Sequence, residues 1–289
     1  EHLLIFVTSF TSQPSDLLKI YTAIQLLRIL DKGGSTYPWV VELLDERHNP
    51  VTFVVKMFTP KQIQQQHAVA KEVYGNVLAA ALDLLVPEAV LARFTPTFIA
   101  TLDSEAKSRN AECHRGLRFA SRHHEGYTIF GDQLPNSKIR DYDMASVYAF
   151  DNLVRNLDRG GERNKPNLLV RDEDYLLIDH EQIFPFADDP DNPNTTVVPA
   201  FLRGEWLYNH EKHLFYPYLK KMKPDTKKEM FTPFMESLRR LDPYLLEETS
   251  GFLSENGQLC ADIDLITEYL CAIKANPEIF LGILQRQLA

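Results

Sequence analysis

Three polar side chains at the borders of apolar runs carry the clearest chemical content of this sequence: Asp158, Asn167 and Asp179. Residues 168–170 and 175–178 are short apolar segments joined by charged residues 171–174, the pattern of a β-hairpin. A turn centred near Glu173 would set Asn167 opposite Asp179 at the open end of the hairpin, with Asp158 arriving from a preceding helix. Oxygen donors held side by side suit Mg²⁺, which takes one or two protein side chains together with substrate phosphates. A further carboxylate nearby could orient a hydroxyl for attack, and the set has the parts that phosphoryl transfer uses. The same residues also fit an acidic surface hairpin that follows a helix, with no chemistry attached.

The elements that must hold these groups can be read outward from them. A helix expected over residues 142–156 has the apolar face Met144, Val147, Phe150, Leu153, Val154 and Leu157, and would fix Asp158 at its C-terminal end. Residues 51–58 read as a strand containing Lys56, and an ammonium in a β-branched, aromatic run needs either water or a partner. The helical pattern over residues 61–85 puts Ile63, Ala70, Val73, Val77, Ala80, Ala81 and Leu84 on one face and Glu72 at its border as that partner; Glu42 and Glu46 are alternatives. Gly33 and Gly34, followed by Ser35, Thr36 and the strand-like residues 39–44, allow a backbone turn that cradles phosphate oxygens, or simply a hairpin turn. Residues 16–30 are apolar at Leu17, Leu18, Ile20, Tyr21, Ile24, Leu27 and Leu30, a recurrence that predicts a helix.

These landmarks resemble the HipA-like kinases, distant relatives of the protein kinases and phosphatidylinositol kinases. The resemblance rests on Asn156-Leu157-Asp158-Arg159, Pro166-Asn167-Leu168-Leu169, Leu177-Ile178-Asp179-His180 and the phrase Leu85-Val86-Pro87-Glu88-Ala89, and it runs over roughly residues 29–215. It implies an α+β, two-lobed protein-kinase-like fold. Residues 1–125 would form an N-terminal lobe with a small antiparallel sheet and one helix, and residues 126–289 a mostly helical C-terminal lobe. It implies ATP and Mg²⁺ as cofactors, Asp158 as catalytic base, Lys56 held by Glu72 against the phosphates, and Asn167 with Asp179 as metal ligands. Gly160-Gly161-Glu162-Arg163 lengthen the loop relative to the family pattern, so Asn164 competes with Asn167 for the metal; the hairpin register favours Asn167. Arg159 would contact the transferred phosphate or pair with an acidic neighbour. Adenine would meet main-chain groups near His123, His124 and Glu125, in a hinge that residues 117–126 resemble, and Ser35 and Thr36 would touch phosphate or accept it.

The function so implied is a Ser/Thr protein kinase similar to toxins of toxin–antitoxin pairs, with a protein substrate bearing Ser/Thr and a cognate inhibitor protein as partners. A kinase of small molecules or lipid head groups, and a catalytically silent relative that binds nucleotide or a partner, are the alternatives.

Composition narrows the class. The chain of 289 residues is 44% hydrophobic and 25% charged, as globular proteins are. A net charge of −9 argues against a broad electrostatic footprint on nucleic acid. Cys113, Cys260 and Cys271 form neither a CxxC pair nor an even set, so reduced thiols and a cytoplasmic location are expected. No apolar run has the length of a bilayer span, and the run at residues 3–7 is short and lacks the cationic lead of a signal peptide; a buried strand is expected there, and no membrane partner. Neither His123-His124 nor His210-Glu211-Lys212-His213 has the spacing of a metal site, and both are read as solvent-facing. Residues 104–114 read as a polar insertion, 90–94 and 98–102 as strands or short connectors, and 185–199 as a long surface loop. Residues 202–221, 227–241 and 262–288 read as helices, the last split at Pro277.

Overall fold

The computed structural model describes residues 18–30, 37–131, 139, 142–160, 165–189 and 195–289. Five strands organise the first part of the chain: β1 (Lys19–Ile29), β2 (Trp39–Leu44), β3 (Pro50–Val55), β4 (Ala89–Arg93) and β5 (Arg118–Arg122). They close into a barrel in the order β1-β2-β3-β5-β4. The pairings are antiparallel except for β1 against β4, which run parallel. The expected small antiparallel sheet is thus closed on itself, which leaves it no bare edge. Tyr21, Trp39, Val41, Leu43, Phe53 and Val55 fill the barrel core together with Phe98 of α3 (Pro96–Thr101) and Ala106 of α4 (Ser104–Glu112).

β1 stands where a helix was expected over residues 16–30. Its register against β2 shifts between Ala23 and Gln25 and again between Leu26 and Arg28. Each bulge adds a residue and resets the in–out alternation. The result is an apolar spacing that imitates a helix, with Ile24 and Leu27 exposed rather than packed. The polar stretch 104–114, expected as an insertion, holds α4, in which the Asp103 side chain accepts from Ala106 N and Glu105 pairs with Arg109. Its polarity reflects exposure, since Ala106 is the helix residue that is buried. Residues 98–101 belong to α3, with Leu102 as its C-cap, and not to a strand.

The single helix expected over residues 61–85 is two: α1 (Pro60–Gln66) and α2 (Ala68–Ala81), separated by His67 with φ of 49°. One left-handed residue reverses the local backbone twist and ends the first helix. Among the described residues the N-terminal part therefore carries four helices, where the resemblance implied one. Every residue of α2 from Ala68 to Ala79 is buried. A helix apolar nearly all round must be enclosed, and α2 lies between β5 and the helix Leu245–Glu255. Its buried polar groups find partners: Lys71 pairs with Asp188, and Asn76 Nδ2 donates to Pro87 O at 2.9 Å.

The second part opens with β6 (Thr128–Ile129), which pairs with β7 (Leu168–Arg171), itself paired with β8 (Asp174–Leu177). The hairpin turn falls at Asp172-Glu173 as expected, with Asp172 at φ 53°, the positive φ that tight hairpin turns require. Before it runs α5 (Met144–Leu153), started by Asp143 accepting from Ser146 N at 3.1 Å. The core continues from α2 through α5 into the C-terminal helices. The helix expected over residues 202–221 is broken into short turns around His210–Lys212 and Tyr216–Leu219, and the helix Leu245–Glu255 was not anticipated. The split before Pro277 is present, between helices Ile263–Ala275 and Pro277–Leu288. The fold is mixed α+β, with the larger sheet N-terminal and helices dominating the C-terminal part. Among the described residues no helix is long and apolar enough to cross a membrane. The expected strand at residues 3–7 lies outside the described residues.

Candidate active site

Lys56 leaves the barrel at the end of β3, where its N–H donates to Phe119 O at 2.9 Å. Its buried ammonium meets three carboxylates: Glu72 Oε1 at 3.1 Å, Glu181 Oε2 at 3.5 Å, and Asp179 Oδ1 in direct contact. Burial disfavours the ammonium, yet Asp179, Glu72 and Glu181 outweigh it and hold the amine charged well above its ordinary range. Burial also opposes the Asp179 carboxylate, but Lys56 overrides it and keeps that carboxyl below the usual range. Glu181 goes the other way: burial raises it well above the usual carboxyl range, with Lys56 opposing and Asp179 adding to the rise. One ammonium therefore serves three acids unequally. Glu42 and Glu46, the other partners weighed for Lys56, are not in contact with it; Glu46 pairs with Lys19 at 2.7 Å.

Glu72 does a second thing. Its Oε2 accepts the main-chain N–H of His180 at 3.0 Å, tying α2 to the segment that carries Asp179 and Glu181. Gly75, one turn further along α2, makes room for this segment: a Cβ built there would lie 2.3 Å from His180 Cβ. Burial pulls the His180 imidazole down to about 3, so it is a neutral ring, packed edge-on against Phe150 at 5.9 Å. Asp179 and Asn167 both adopt left-handed backbone, with φ of 68° and 46°. Such conformations cost energy away from glycine and persist where surrounding structure fixes them. Here Ile178 N donates to Asn167 O at 3.2 Å, which holds the two ends of the hairpin side by side as its register predicts.

Asp158 follows α5 and is fixed from three directions. Its N–H donates to Asn156 Oδ1 at 3.0 Å, while its Oδ2 accepts from Lys165 Nζ at 2.9 Å and from Asn167 Nδ2 at 3.3 Å. The donation from Asn167 Nδ2 turns that side chain so that its Oδ1 remains as an oxygen donor. Beneath lies a buried hub, Asp151. It accepts from Arg159 Nε at 2.5 Å, His213 Nε2 at 2.9 Å and Asn156 Nδ2 at 2.9 Å. Phe215 N donates to His213 Nδ1 at 3.1 Å, so this histidine is the neutral tautomer with its proton on Nε2. Burial lowers the His213 pKa against the pull of Asp151, and Arg159 holds Asp151 below the usual carboxyl range despite burial. Arg159 also donates to Asn167 O and, at 3.4 Å, to Ile178 O.

Above Asp158 opens a cleft of about 580 Å³, lined by Gln62 and Gln66 of α1, by Leu157, Lys165, Glu181 and Gln182, and by Tyr208, Asn209 and Lys212. Amides, amines and a carboxyl dominate it. Such a surface can take a hydrogen-bonding ligand beside the Asp158 carboxylate.

Of the residues singled out in the sequence, Lys56, Glu72 and Asp179 are in contact, as are Asp158 and Asn167. Arg159 is buried and pairs with Asp151, and it also borders the cleft. His123, His124 and Glu125 follow β5 and do not line the cleft; His123 N donates to Thr52 O at 3.0 Å and His124 packs on Tyr127. Gly33, Gly34, Ser35, Thr36 and Asn164 lie outside the described residues. The reading of His213 as helix surface is wrong, because its ring is buried on Asp151. Lys165 and Glu181 were missed. Lys165 could have been found as the cation between Asp158 and Asn167, and Glu181 as a carboxylate two residues past Asp179. Asp151 was legible as a lone acid inside an apolar helix, which needs a buried partner.

A family model described as HipA-like kinase matches residues 25–198. No curated protein matches the chain. The fold is similar to the crystal structure of a Helicobacter pylori proinflammatory kinase, CtkA. The two chains are 11% identical over 93% of this chain and 98% of that one, with a TM-score of 0.51, a likeness of fold alone.

Proposed function

The chain belongs to the HipA-like kinase family, and from that premise we propose that it is an ATP-dependent serine/threonine protein kinase working with Mg²⁺. The observation that carries this reading is the meeting of Lys56 with both Glu72 and Asp179. It joins a strand lysine, a helix glutamate and an acid of the second part of the chain into the set by which kinases hold nucleotide phosphates. In this reading the chain divides near residue 125 into two lobes. Adenine lies toward residues 122–125, and Gly33, Gly34, Ser35 and Thr36 cover the phosphates.

The donor set fits Mg²⁺. Asp179 and the Oδ1 of Asn167 are hard oxygen donors held at adjoining hairpin ends, and Glu72 Oε1 and Glu181 Oε2 are buried oxygens close by that share the Lys56 ammonium with Asp179. Bound there, the ion would supply positive charge to the phosphate oxygens. The chain does the rest with its own groups. Lys56, already charged, meets the phosphates. Lys165 and Asn167 occupy Oδ2 of Asp158, which leaves Oδ1 to accept the proton of an incoming hydroxyl. Asn156, anchored on Asp151, holds the main-chain N–H of Asp158. Arg159 contributes by holding the hairpin ends through Asn167 O and Ile178 O. A cognate inhibitor protein and a cytoplasmic setting belong to the same proposal.

Incubating the protein and γ-labelled ATP with separate pools of cellular protein, metabolites and lipids tests the acceptor class. Label in the protein pool, on serine or threonine, is the expected result. Label confined to metabolites or lipids would replace the protein acceptor with a small one.

A further inference from the structure

The cleft above Asp158 has a recognisable pattern of unused hydrogen-bonding groups. Gln62 and Gln66 stand one turn apart on α1 and line the same wall, a separation of about 5–6 Å. In an extended peptide, groups facing one way recur every second residue, at roughly 6.6–6.8 Å. A side-chain amide offers one acceptor and an NH₂ donor, the complement of a main-chain peptide group. Gln62 Oε1 is already taken by Thr59 N at 3.0 Å, so its Nε2 is left to donate. Gln182 and Asn209, from other segments of the chain, also line the cleft and offer the same chemistry.

One further feature tells against a small polyol. Leu157, beside Asp158, is 52% exposed, an apolar side chain at the cleft that a polyol would leave bare. At the rim, Lys212 is exposed and forms no ion pair among the described residues, whereas Lys165 is engaged by Asp158.

We propose that this cleft binds the acceptor as an extended peptide, its main chain held by the amides of Gln62, Gln66, Gln182 and Asn209, an apolar side chain on Leu157 and an acidic side chain at Lys212. The proposal rests on the kinase reading above and names the class of acceptor sequence: serine or threonine flanked by acidic and apolar residues.

The test measures binding and transfer in parallel. Three fluorescent serine peptides, flanked by glutamates, alanines or lysines, are titrated into the full chain by anisotropy, and phosphate incorporation from ATP is followed on the same peptides. The glutamate peptide should bind about fivefold tighter than the lysine peptide, the range of an exposed ion pair. Lys212→Glu, at an exposed position, should invert that order. The double variant Gln62→Ala/Gln66→Ala should weaken all three peptides alike and keep the acidic preference. Equal affinities for the three peptides, or an order unchanged in Lys212→Glu, would overturn the proposal even if phosphate is transferred. Peptides bound in the expected order with no phosphate incorporated would leave the proposal standing and sink the kinase reading instead.

Discussion

Glu72 Oε2 accepts the main-chain N–H of His180 at 3.0 Å, across 108 positions of sequence. Its other oxygen lies 3.1 Å from Lys56 Nζ. One side chain therefore positions both the amine that would meet phosphate and the backbone beside the acid that would meet metal. A shift of α2 moves both at once.

That coupling makes Gly75 a sensitive site. Gly75→Ala puts a Cβ 2.3 Å from His180 Cβ, which the packed segment can relieve by moving away from Glu72. The expected cost is about 1–3 kcal/mol of stability, typical of overpacking, with a larger loss of phosphoryl transfer. Denaturant unfolding and a transfer assay on the same preparation check this. A variant with wild-type turnover would show that the Glu72–His180 contact does not set the site.

Removing Lys56 should harm the fold as well as the chemistry. Lys56→Ala leaves Glu72, Asp179 and Glu181 facing one another without their cation. Breaking a buried pair from one side costs about 3–5 kcal/mol. The double variant Lys56→Ala/Glu72→Gln should regain part of that stability and no activity. Equal stabilities for the single and double variants would remove the ion pair from the account.

Asp151→Asn tests the buried hub. The change leaves Arg159 without a counter-charge and weakens the bond from His213. A loss of about 3–5 kcal/mol is expected, together with weaker transfer because Asn156 and Arg159 lose their anchor. Thermal unfolding that matches the wild type would contradict a structural role for Asp151.

The acid limb of the stability profile should carry the mark of His213. Its folded pKa is lowered by burial, whereas an unfolded histidine titrates near about 6.5. Below that value the unfolded chain binds a proton that the folded chain refuses, so this contribution is complete above it and shrinks as pH falls. His213→Gln can still donate to Asp151 and accept from Phe215 N, and should flatten the decline between about pH 7 and pH 5. Parallel wild-type and variant profiles would show that His213 does not titrate in this way.

The sequence made the hairpin and its polar ends legible because strand pairing is local: once the turn is at Asp172-Glu173, Asn167 and the residues before Asp179 must meet. The Lys56–Glu72 pair was legible because a charge inside an apolar run demands a partner. The barrel was not. Its closure depends on β1 meeting β4 from Lys19↔Val90 onward, a long-range pairing, and the two bulges in β1 erase the alternation that would have marked it as a strand. His213 and Glu181 escaped for a related reason. Each is explained by a neighbour from another element, Asp151 for the one and Lys56 for the other, and spacing along the chain records neither.

The central claim is that Asp158 serves the hydroxyl while Lys56, Asn167 and Asp179 serve nucleotide and metal. Its most direct test is transfer from γ-labelled ATP to protein by the wild type and by Asp158→Asn, each with its nucleotide affinity measured alongside. The account predicts label transferred by the wild type and a loss of about 100-fold or more in Asp158→Asn, the scale of a general base, with nucleotide affinity nearly unchanged. Transfer by Asp158→Asn at the wild-type rate, or a wild type that binds nucleotide and transfers nothing, would contradict it.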